Sequence, residues 1–242
     1  MDEILKLQKM IEESNNIVFF SGAGVSTESG IKDFRSKDGI YNQKTKYPPE
    51  FMLSADCFYN YPKDFFDFYR NNMNSLSAKP NITHKYLKEL EDSGKLKAIV
   101  TQNIDGLHTL AGCKNVYEIH GTIYKNHCLK CHKEYGPEVI FNSEDIPICK
   151  CGGTIKPDIV LYGEMLAQSY EKAIESINKA DMLIVAGTSL TVQPASSMLY
   201  YFHGKYLVII NKDETPYDYK ATLVIHKPLK EVMEYLIKNC NK

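Results

Sequence analysis

Short apolar runs that alternate with helix-type patterns are the feature that most constrains the fold of this chain. Runs of strand length occur at 17–20, 97–100, 116–119, 182–186, 206–210 and 223–225. Between them, apolar residues recur three or four positions apart, as at Ile82, Tyr86 and Leu90, which is the spacing of one helix face. Buried strands joined through helices form parallel sheets with helices on both faces. We therefore predict an α/β fold built on a mostly parallel sheet.

Three stretches stand apart from this alternation. Residues 121–157 carry four cysteines and few apolar residues, so we predict an insertion outside the main sheet. Residues 30–50 are polar and lack periodicity, which predicts a mobile loop. The aromatic-rich stretch 51–73, broken at Pro62, predicts two or three short helices that pack as a small module.

The four clustered cysteines predict a structural zinc site. A CxxC pair and a CxC pair are separated by seventeen residues, close to the spacing of four-thiolate zinc modules. Four thiolates leave no open position, so this ion would hold the insertion together and would not catalyse. The second pair is tighter than usual, which leaves His127 and His132 as possible substitutes. The predicted ligands are Cys128, Cys131, Cys149 and Cys151.

The charge balance excludes several classes of partner. The net charge is −1, with no basic cluster of the kind that binds nucleic acid or an anionic membrane surface. The N-terminus interleaves charged and apolar residues, unlike a secretory signal, and no apolar run is long enough to span a bilayer. We expect a soluble, cytoplasmic monomer.

Polar residues follow two of the predicted strands. Gln102, Asn103 and Asp105 come directly after the run at 97–100, and His120 follows the run at 116–119. In open α/β sheets, ligands bind outside the carboxyl ends of the strands, so these residues predict the rim of an active site. His120 suits a general base, because imidazole titrates near neutral pH. Two ordinary polar loops are the alternative.

A glycine turn follows the first strand, at SGAGVSTESG. Gly22 and Gly24 would let backbone N–H groups approach a pyrophosphate at a helix start. Thr27 stands where a dinucleotide fingerprint has its third glycine, so that fingerprint is incomplete. A plain glycine turn between strand and helix is the alternative.

Together these motifs resemble those of the sirtuins, which are NAD-dependent protein-lysine deacylases. The segments SGAGVSTESGIKDFR, TQNIDGLH, EIHG, LYGE, AGTSLTVQP and IIN, with the paired cysteines, occur in sirtuin order from about Ile17 to Asn211. The resemblance is to a compact bacterial or archaeal type. It implies a Rossmann-like NAD-binding domain over 1–30, 76–121 and 158–242. It also implies a small domain made of a cofactor loop and helical module (31–75) and a zinc-binding module (122–157).

The resemblance also implies roles for individual residues. His120 would be the general base, and Asn103 would order water near the ribose. Val160 and Tyr162 would line the acyl-lysine tunnel, while the substrate peptide would add as a strand beside Gly163, Glu164 and Val192. The implied NAD contacts are Gly22, Ala23, Gly24, Thr27, Phe34, Arg35, Gln102, Ile104, Asp105, Thr188, Ser189, Asn211 and Ile225. The products would be nicotinamide, deacylated lysine and O-acetyl-ADP-ribose.

The sequence departs from the family pattern in three places. Lys32 replaces the usual proline of the cofactor loop, and Tyr162 replaces a common phenylalanine. Members that remove acidic acyl groups carry a Tyr-x-x-Arg pair, whose aligned positions here are Phe66 and Tyr69, with Arg70 one residue further on. We therefore predict a preference for acetyl and other neutral acyl groups over succinyl.

Two other functions remain open at this point. The same NAD site could support mono-ADP-ribosyl transfer to protein, although His120 and Asn103 argue against it. A zinc-ribbon binding module without enzymatic activity is the second.

Overall fold

The computed structural model describes residues 2–166 and 169–240. Among the helices in this part of the chain, none is long and apolar enough to cross a membrane. The strands are β1 (Ile17–Ser21), β2 (Leu96–Thr101), β3 (Val116–Glu118), β4 (Gly121–Cys128), β5 (Glu134–Tyr135), β6 (Ile155–Ile159), β7 (Met182–Ala186), β8 (Tyr206–Ile210) and β9 (Leu223–Ile225). The α-helices are α1 (Asp2–Glu13), α2 (Pro49–Met52), α3 (Ala55–Asn60), α4 (Pro62–Met73), α5 (Ile82–Asp92), α6 (Leu107–Leu110), α7 (Glu138–Phe141), α8 (Ser169–Lys179) and α9 (Leu229–Cys240). Short 3₁₀ helices cover Ala23–Val25, Thr27–Ser29, Ile40–Asn42, Ala195–Tyr201 and Asp218–Lys220.

Six strands form one parallel sheet in the order β3-β2-β1-β7-β8-β9. The chain first builds outward from β1 through β2 to β3, and then returns to place β7, β8 and β9 on the other side of β1. The order therefore reverses between β1 and β7, and such a reversal opens a crevice at the carboxyl ends of the strands. The predicted parallel α/β sheet is confirmed.

Alternating side chains on each strand supply a core for both faces of this sheet. On β1, Ile17 and Phe19 point to the face covered by α1, α5 and α9, whereas Val18 and Phe20 point to the opposite face. That second face is covered by α8 and the 3₁₀ helix Ala195–Tyr201. All four β1 side chains are fully buried, as expected for a strand sandwiched between helix layers.

The cysteine-rich insertion forms a separate antiparallel sheet in the order β5-β4-β6. The predicted short helices are α2, α3 and α4, and Pro62 begins α4, where its missing N–H removes no helical hydrogen bond. These helices share one apolar core with the small sheet, in which Phe58 and Phe65 meet Ile123 and Ile159. Residues 30–50 contain the short 3₁₀ turn Ile40–Asn42, and their mobility stays a prediction.

Gly121 marks the point where the chain leaves the large sheet for the small one. Its φ is +79°, and a Cβ atom there would lie 2.0 Å from the Asp158 carbonyl oxygen. Only glycine fits both conditions. The close approach lets the Val160 N–H donate to the carbonyl of His120, at 2.9 Å. The two sheets are thereby joined beside the predicted base.

Candidate active site

A cleft of about 1120 Å³ lies between the carboxyl edge of the parallel sheet and the small sheet with its helices. It exceeds the usual size of a pocket for one small ligand, about 300–1,000 Å³. Nearly all the predicted catalytic, NAD-binding and substrate-binding residues line it: Gly22, Ala23, Gly24, Thr27, Phe34, Arg35, Gln102, Asn103, Ile104, Asp105, His120, Val160, Tyr162, Gly163, Glu164, Thr188, Ser189, Val192 and Asn211. Ile225 does not.

His120 projects into this cleft from the loop after β3. Its Nδ1 lies 3.0 Å from the carbonyl oxygen of Gln102. A carbonyl only accepts, so Nδ1 carries the proton and Nε2 is left as the basic nitrogen. Burial lowers the pKa of His120 below its ordinary value, against the opposing effect of the Gln102 hydrogen bond. The ring is therefore neutral at physiological pH, as a general base requires.

Asn103 and Asp105 are held by a buried serine that the sequence interpretation did not single out. Ser26 donates to Asp105 Oδ2 at 2.6 Å, and Asn103 Nδ2 lies 3.1 Å from the same Ser26 oxygen. Burial raises the pKa of Asp105, while hydrogen bonds from Ser26 and from the Leu107 N–H oppose the rise. The signal for Ser26 was its place in the glycine turn, but its partners could not be read from the sequence.

The glycine turn differs from the expectation in two respects. The chain enters two short 3₁₀ helices, Ala23–Val25 and Thr27–Ser29, where a regular helix start was expected. The N–H groups of Gly22 and Gly24 donate to the carbonyls of Ala186 and Gly187, at 3.1 and 2.8 Å. A Cβ atom on Gly24 would lie 2.8 Å from Gly187 Cα. These glycines are therefore needed first for the interlock between the turns after β1 and β7.

The remaining strand ends present further polar groups to the cleft. Gln102 Nε2 donates to Thr188 Oγ1 at 3.1 Å, which ties the end of β2 to the turn after β7. Asn211 follows β8, and its N–H donates to the carbonyl of Ile225 at 3.2 Å. The Ile225 side chain is fully buried in the sheet core, so Ile225 contacts Asn211 through its main-chain carbonyl.

The loop after β6 forms the opposite wall. Tyr162 is pinned on both sides, because its N–H donates to the Leu53 carbonyl and its own carbonyl accepts from the Ala55 N–H, both at 3.0 Å. The Glu164 carboxylate accepts from the Leu161 N–H at 2.9 Å and pairs with the buried Lys156 ammonium at 3.2 Å. The Glu164 side chain is thus committed to holding the loop.

The residues aligned with the Tyr-x-x-Arg pair that recognises acidic acyl groups lie outside the cleft. Phe66 and Tyr69 are fully buried in the core shared by the helices and the small sheet, and neither lines the cleft. Arg70 pairs with Asp67 at 2.6 Å and donates to Ser143 Oγ and the Asp145 carbonyl, both at 3.0 Å. Its guanidinium therefore connects α4 to the segment after α7.

The four cysteines converge at the far end of the small sheet. Their sulfur atoms lie within 4.8 Å of one another, with Cys128–Cys151 and Cys131–Cys149 separations of 3.4 and 3.6 Å. A tetrahedral ion about 2.3 Å from each sulfur requires separations near 3.8 Å. The cluster therefore fits one structural zinc ion. His127 pairs instead with Asp158, and neither His127 nor His132 belongs to the cluster in the described residues.

A buried histidine pair lies next to the end of β1. The rings of His84 and His108 are 4.7 Å apart, and His108 Nε2 lies 3.0 Å from Ser21 Oγ. His84 Nδ1 accepts the Asn81 N–H at 3.3 Å as part of a capping box on α5. Burial lowers the pKa of His84 to about 4 and also lowers that of His108. Both rings are neutral at pH 7.

The fold and the cleft define a class: an α/β protein with a nucleotide-type crevice at a strand-order reversal, joined to a thiolate zinc module. Comparison with known proteins identifies the family within this class. A family model described as the Sir2 family matches residues 22–194, so the chain belongs to the Sir2 family, the sirtuins.

The relatives cover essentially the whole chain. A protein of Clostridium acetobutylicum named NAD-dependent protein deacetylase is 53% identical, over 98% of this chain and 99% of that protein. A Clostridium perfringens protein of the same name is 52% identical, over 98% and 99%. A solved structure of Sir2 with a p53 peptide and NAD⁺ superposes with a TM-score of 0.88 at 38% identity and 98% coverage of both chains. A structure of Sir2Tm bound to a propionylated peptide gives 0.88 at 36% identity and 99% coverage of both. The predicted family and its cofactors, NAD and one zinc ion, are thereby confirmed.

Proposed function

We propose that this chain is an NAD-dependent protein-lysine deacetylase that releases nicotinamide, deacylated lysine and O-acetyl-ADP-ribose. The observation that carries the proposal is the His120 ring, fixed as a neutral base by the Gln102 carbonyl, with its free nitrogen available to the cleft. A relative solved with a deacetylated p53 peptide and 3′-O-acetyl ADP-ribose, at 38% identity, supports the products.

NAD, when bound, supplies the ADP-ribosyl group that accepts the acyl group. Ala23, Thr27, Thr188, Ser189 and Asn211 would hold its polar groups, since they line the cleft at the strand-order reversal. Gly22 and Gly24 would support this site indirectly, because they let the turn after β1 pack closely against Gly187 and Thr188.

Around the ribose, the roles follow from hydrogen bonding. Gln102, Asn103, Ile104 and Asp105 form the loop that would face the ribose and nicotinamide, with Asn103 ordering water. His120 Nε2 would accept a proton from a ribose hydroxyl, and the hydrogen bond from Nδ1 to the Gln102 carbonyl would stabilise the resulting imidazolium. Phe34 and Arg35 in the cofactor loop would exclude water from the reacting centre, which would protect the reacting sugar from hydrolysis before the acyl group is transferred.

The substrate is proposed to be an acyl-lysine protein or peptide, and the relatives solved with p53 and propionylated peptides support this class. Val160 and Tyr162 would flank the acyl-lysine, while Gly163, Glu164 and Val192 would pair with the peptide backbone as an added strand. Because the Glu164 carboxylate is committed to Leu161 and Lys156, it would contribute through its main chain.

The proposed acyl preference is neutral, acetyl before succinyl. A succinyl carboxylate needs a cation in the tunnel, and the nearest aligned arginine, Arg70, is engaged by Asp67, Ser143 and Asp145 with its side chain only 12% exposed. The aligned positions Phe66 and Tyr69 offer an aromatic ring and a phenol, neither of which carries positive charge.

We also propose the division of the chain given by the sequence, with 1–30, 76–121 and 158–242 as the NAD-binding domain and 31–75 with 122–157 as the small domain. The separate apolar cores of the large sheet and of the helices with the small sheet support two domains, although β6 (Ile155–Ile159) crosses the boundary at 158 and Ile159 packs in the core of the small sheet. A cytoplasmic monomer without nucleic-acid or membrane binding is proposed on the near-neutral net charge of −1.

The test is mass spectrometry of an acetyl-lysine peptide incubated with the protein, with and without NAD. Deacetylated peptide plus O-acetyl-ADP-ribose, formed only with NAD, is expected. His120→Ala should lower turnover about 10²–10⁴-fold, the usual contribution of a general base, while calorimetric NAD binding persists. His203→Ala, at an exposed histidine outside the cleft, is the control. Near-normal turnover of His120→Ala would overturn the assignment, and a peptide that gains ADP-ribose would favour mono-ADP-ribosyl transfer.

A further inference from the structure

Two tyrosine hydroxyls meet across the mouth of the cleft. The hydroxyls of Tyr41 and Tyr162 are 2.5 Å apart, and both residues line the cleft. They are 121 positions apart in the chain and belong to different walls. Tyr162 is the position where the sequence departs from the phenylalanine common in the family, so this contact depends on an atom that a phenylalanine lacks.

Tyr41 belongs to a compact loop segment, 33–42. The N–H groups of Ile40 and Tyr41 donate to the carbonyls of Asp33 and Phe34, each at 2.9 Å. The Tyr41 ring packs edge-on against Phe34 with centroids 5.4 Å apart, and the Arg35 guanidinium lies 5.2 Å from its centre. Tyr41 thus contacts both residues assigned to closing over NAD.

Tyr162 is the rigid half of the contact. Its backbone is hydrogen-bonded on both sides, to Leu53 and Ala55, and its side chain is 40% exposed. A hydroxyl fixed in this way can hold a loop that is polar and short of regular structure. Burial, together with this hydrogen bond, raises the pKa of Tyr41, so its hydroxyl keeps its proton at neutral pH.

We propose that the Tyr41–Tyr162 hydrogen bond is a positioning contact that holds segment 33–42, with Phe34 and Arg35, closed over the cleft before NAD binds. The roles of Phe34 and Arg35 in this statement rest on the proposed function. The contact also connects the acyl-lysine wall to the cofactor loop, so the two substrates would meet in a site that is already assembled. Apparent affinity for a ligand falls with the fraction of protein in the competent state, so loss of the contact weakens NAD binding.

The test is hydrogen–deuterium exchange of a peptide covering 33–42, measured without NAD on the full chain. Tyr162→Phe and Tyr41→Phe should each speed exchange about two- to tenfold, the factor that corresponds to one net hydrogen bond. The double variant should exchange no faster than either single variant, because both remove the same bond. Tyr59→Phe, at a 60% exposed tyrosine on α3, is the matched control and should leave exchange unchanged.

Steady-state kinetics give a second readout. The KM for NAD should rise in Tyr41→Phe, at a residue with no assigned substrate contact, while kcat stays within about twofold, since bound NAD would itself close the segment. Unchanged exchange in both single variants, or additive effects in the double variant, would overturn the proposal. Absence of deacetylation by the unmodified chain would instead refute the proposed function, and the exchange rates would still decide the role of the tyrosine contact.

Discussion

The buried His84 should make this protein lose stability in mild acid, by an amount that can be stated in advance. Burial lowers its pKa from 6.5 to about 4. Between pH 6.5 and pH 4 the unfolded chain therefore binds a proton at His84 that the folded chain does not bind. The contribution of neutral His84 to the free energy of unfolding is complete above pH 6.5 and is lost as the pH falls toward 4. At pH 4.5 this single group costs about 2–3 kcal/mol of unfolding free energy, since one pKa unit is worth about 1.4 kcal/mol.

His84→Gln is the variant that isolates the effect. Glutamine is the usual partner in a capping box, so its side-chain oxygen can still accept the Asn81 N–H at the start of α5. The assay is guanidinium unfolding followed by circular dichroism at pH 7.5 and pH 4.5. Between these two pH values His84→Gln should lose about 2–3 kcal/mol less than the parent.

His203→Gln, at an exposed position, serves as the control and should track the parent. An identical loss of stability in His84→Gln and the parent would refute the reasoning, because the acid sensitivity would then arise elsewhere.

Three further predictions concern the cleft and its support. One peptide carrying acetyl-lysine or succinyl-lysine should lose the acetyl group faster, since the Arg70 guanidinium is engaged outside the cleft; faster succinyl removal would contradict this. Gly24→Ala should lower the free energy of unfolding by about 1–3 kcal/mol, because its Cβ would lie 2.8 Å from Gly187 Cα, and an unchanged melting temperature would show that the interlock yields freely. Removal of zinc with a strong chelator should unfold the metal end of the small sheet and abolish turnover, because the buried apolar cluster at that end, among the described residues, consists of Cys128, Cys149 and Ile155. Metal analysis together with thermal unfolding checks the last prediction, and a metal-free protein with an unshifted transition would count against it.

The parts of the fold that could be predicted are those encoded locally. The runs at 17–20 and 182–186 became β1 and β7 within one residue, because apolar runs of that length, bounded by polar or turn residues, favour buried strands between helix layers. The cysteine site could be predicted because metal spacing leaves little freedom in how the chain folds around an ion. The polar residues after β2 and β3 could be placed at the cleft because ligands bind outside the carboxyl ends of the strands in open α/β sheets.

What could not be predicted depends on partners that are distant in the chain. Ser26 and Asp105 are 79 positions apart, and neither segment carries a sequence pattern that predicts their hydrogen bond. The turn at Gly22 and Gly24 was predicted to bind phosphate through its N–H groups. In the structure these N–H groups donate to carbonyls at the end of β7 and just after it. Such pairings arise from strand order, which hydrophobic periodicity does not specify.

The small sheet connects the cysteine cluster at one end of β4 and β6 to the cleft at the other end. A zinc ion on the four cysteines would close one end of β4 and β6, and at the other end the Val160 N–H donates to the carbonyl of His120, the proposed base. Stiffness at the proposed reacting end would thus come from an ion that takes no part in the proposed reaction. Oxidation of the exposed Cys131 would consequently switch off turnover from a distance, with every group that touches the substrates chemically intact.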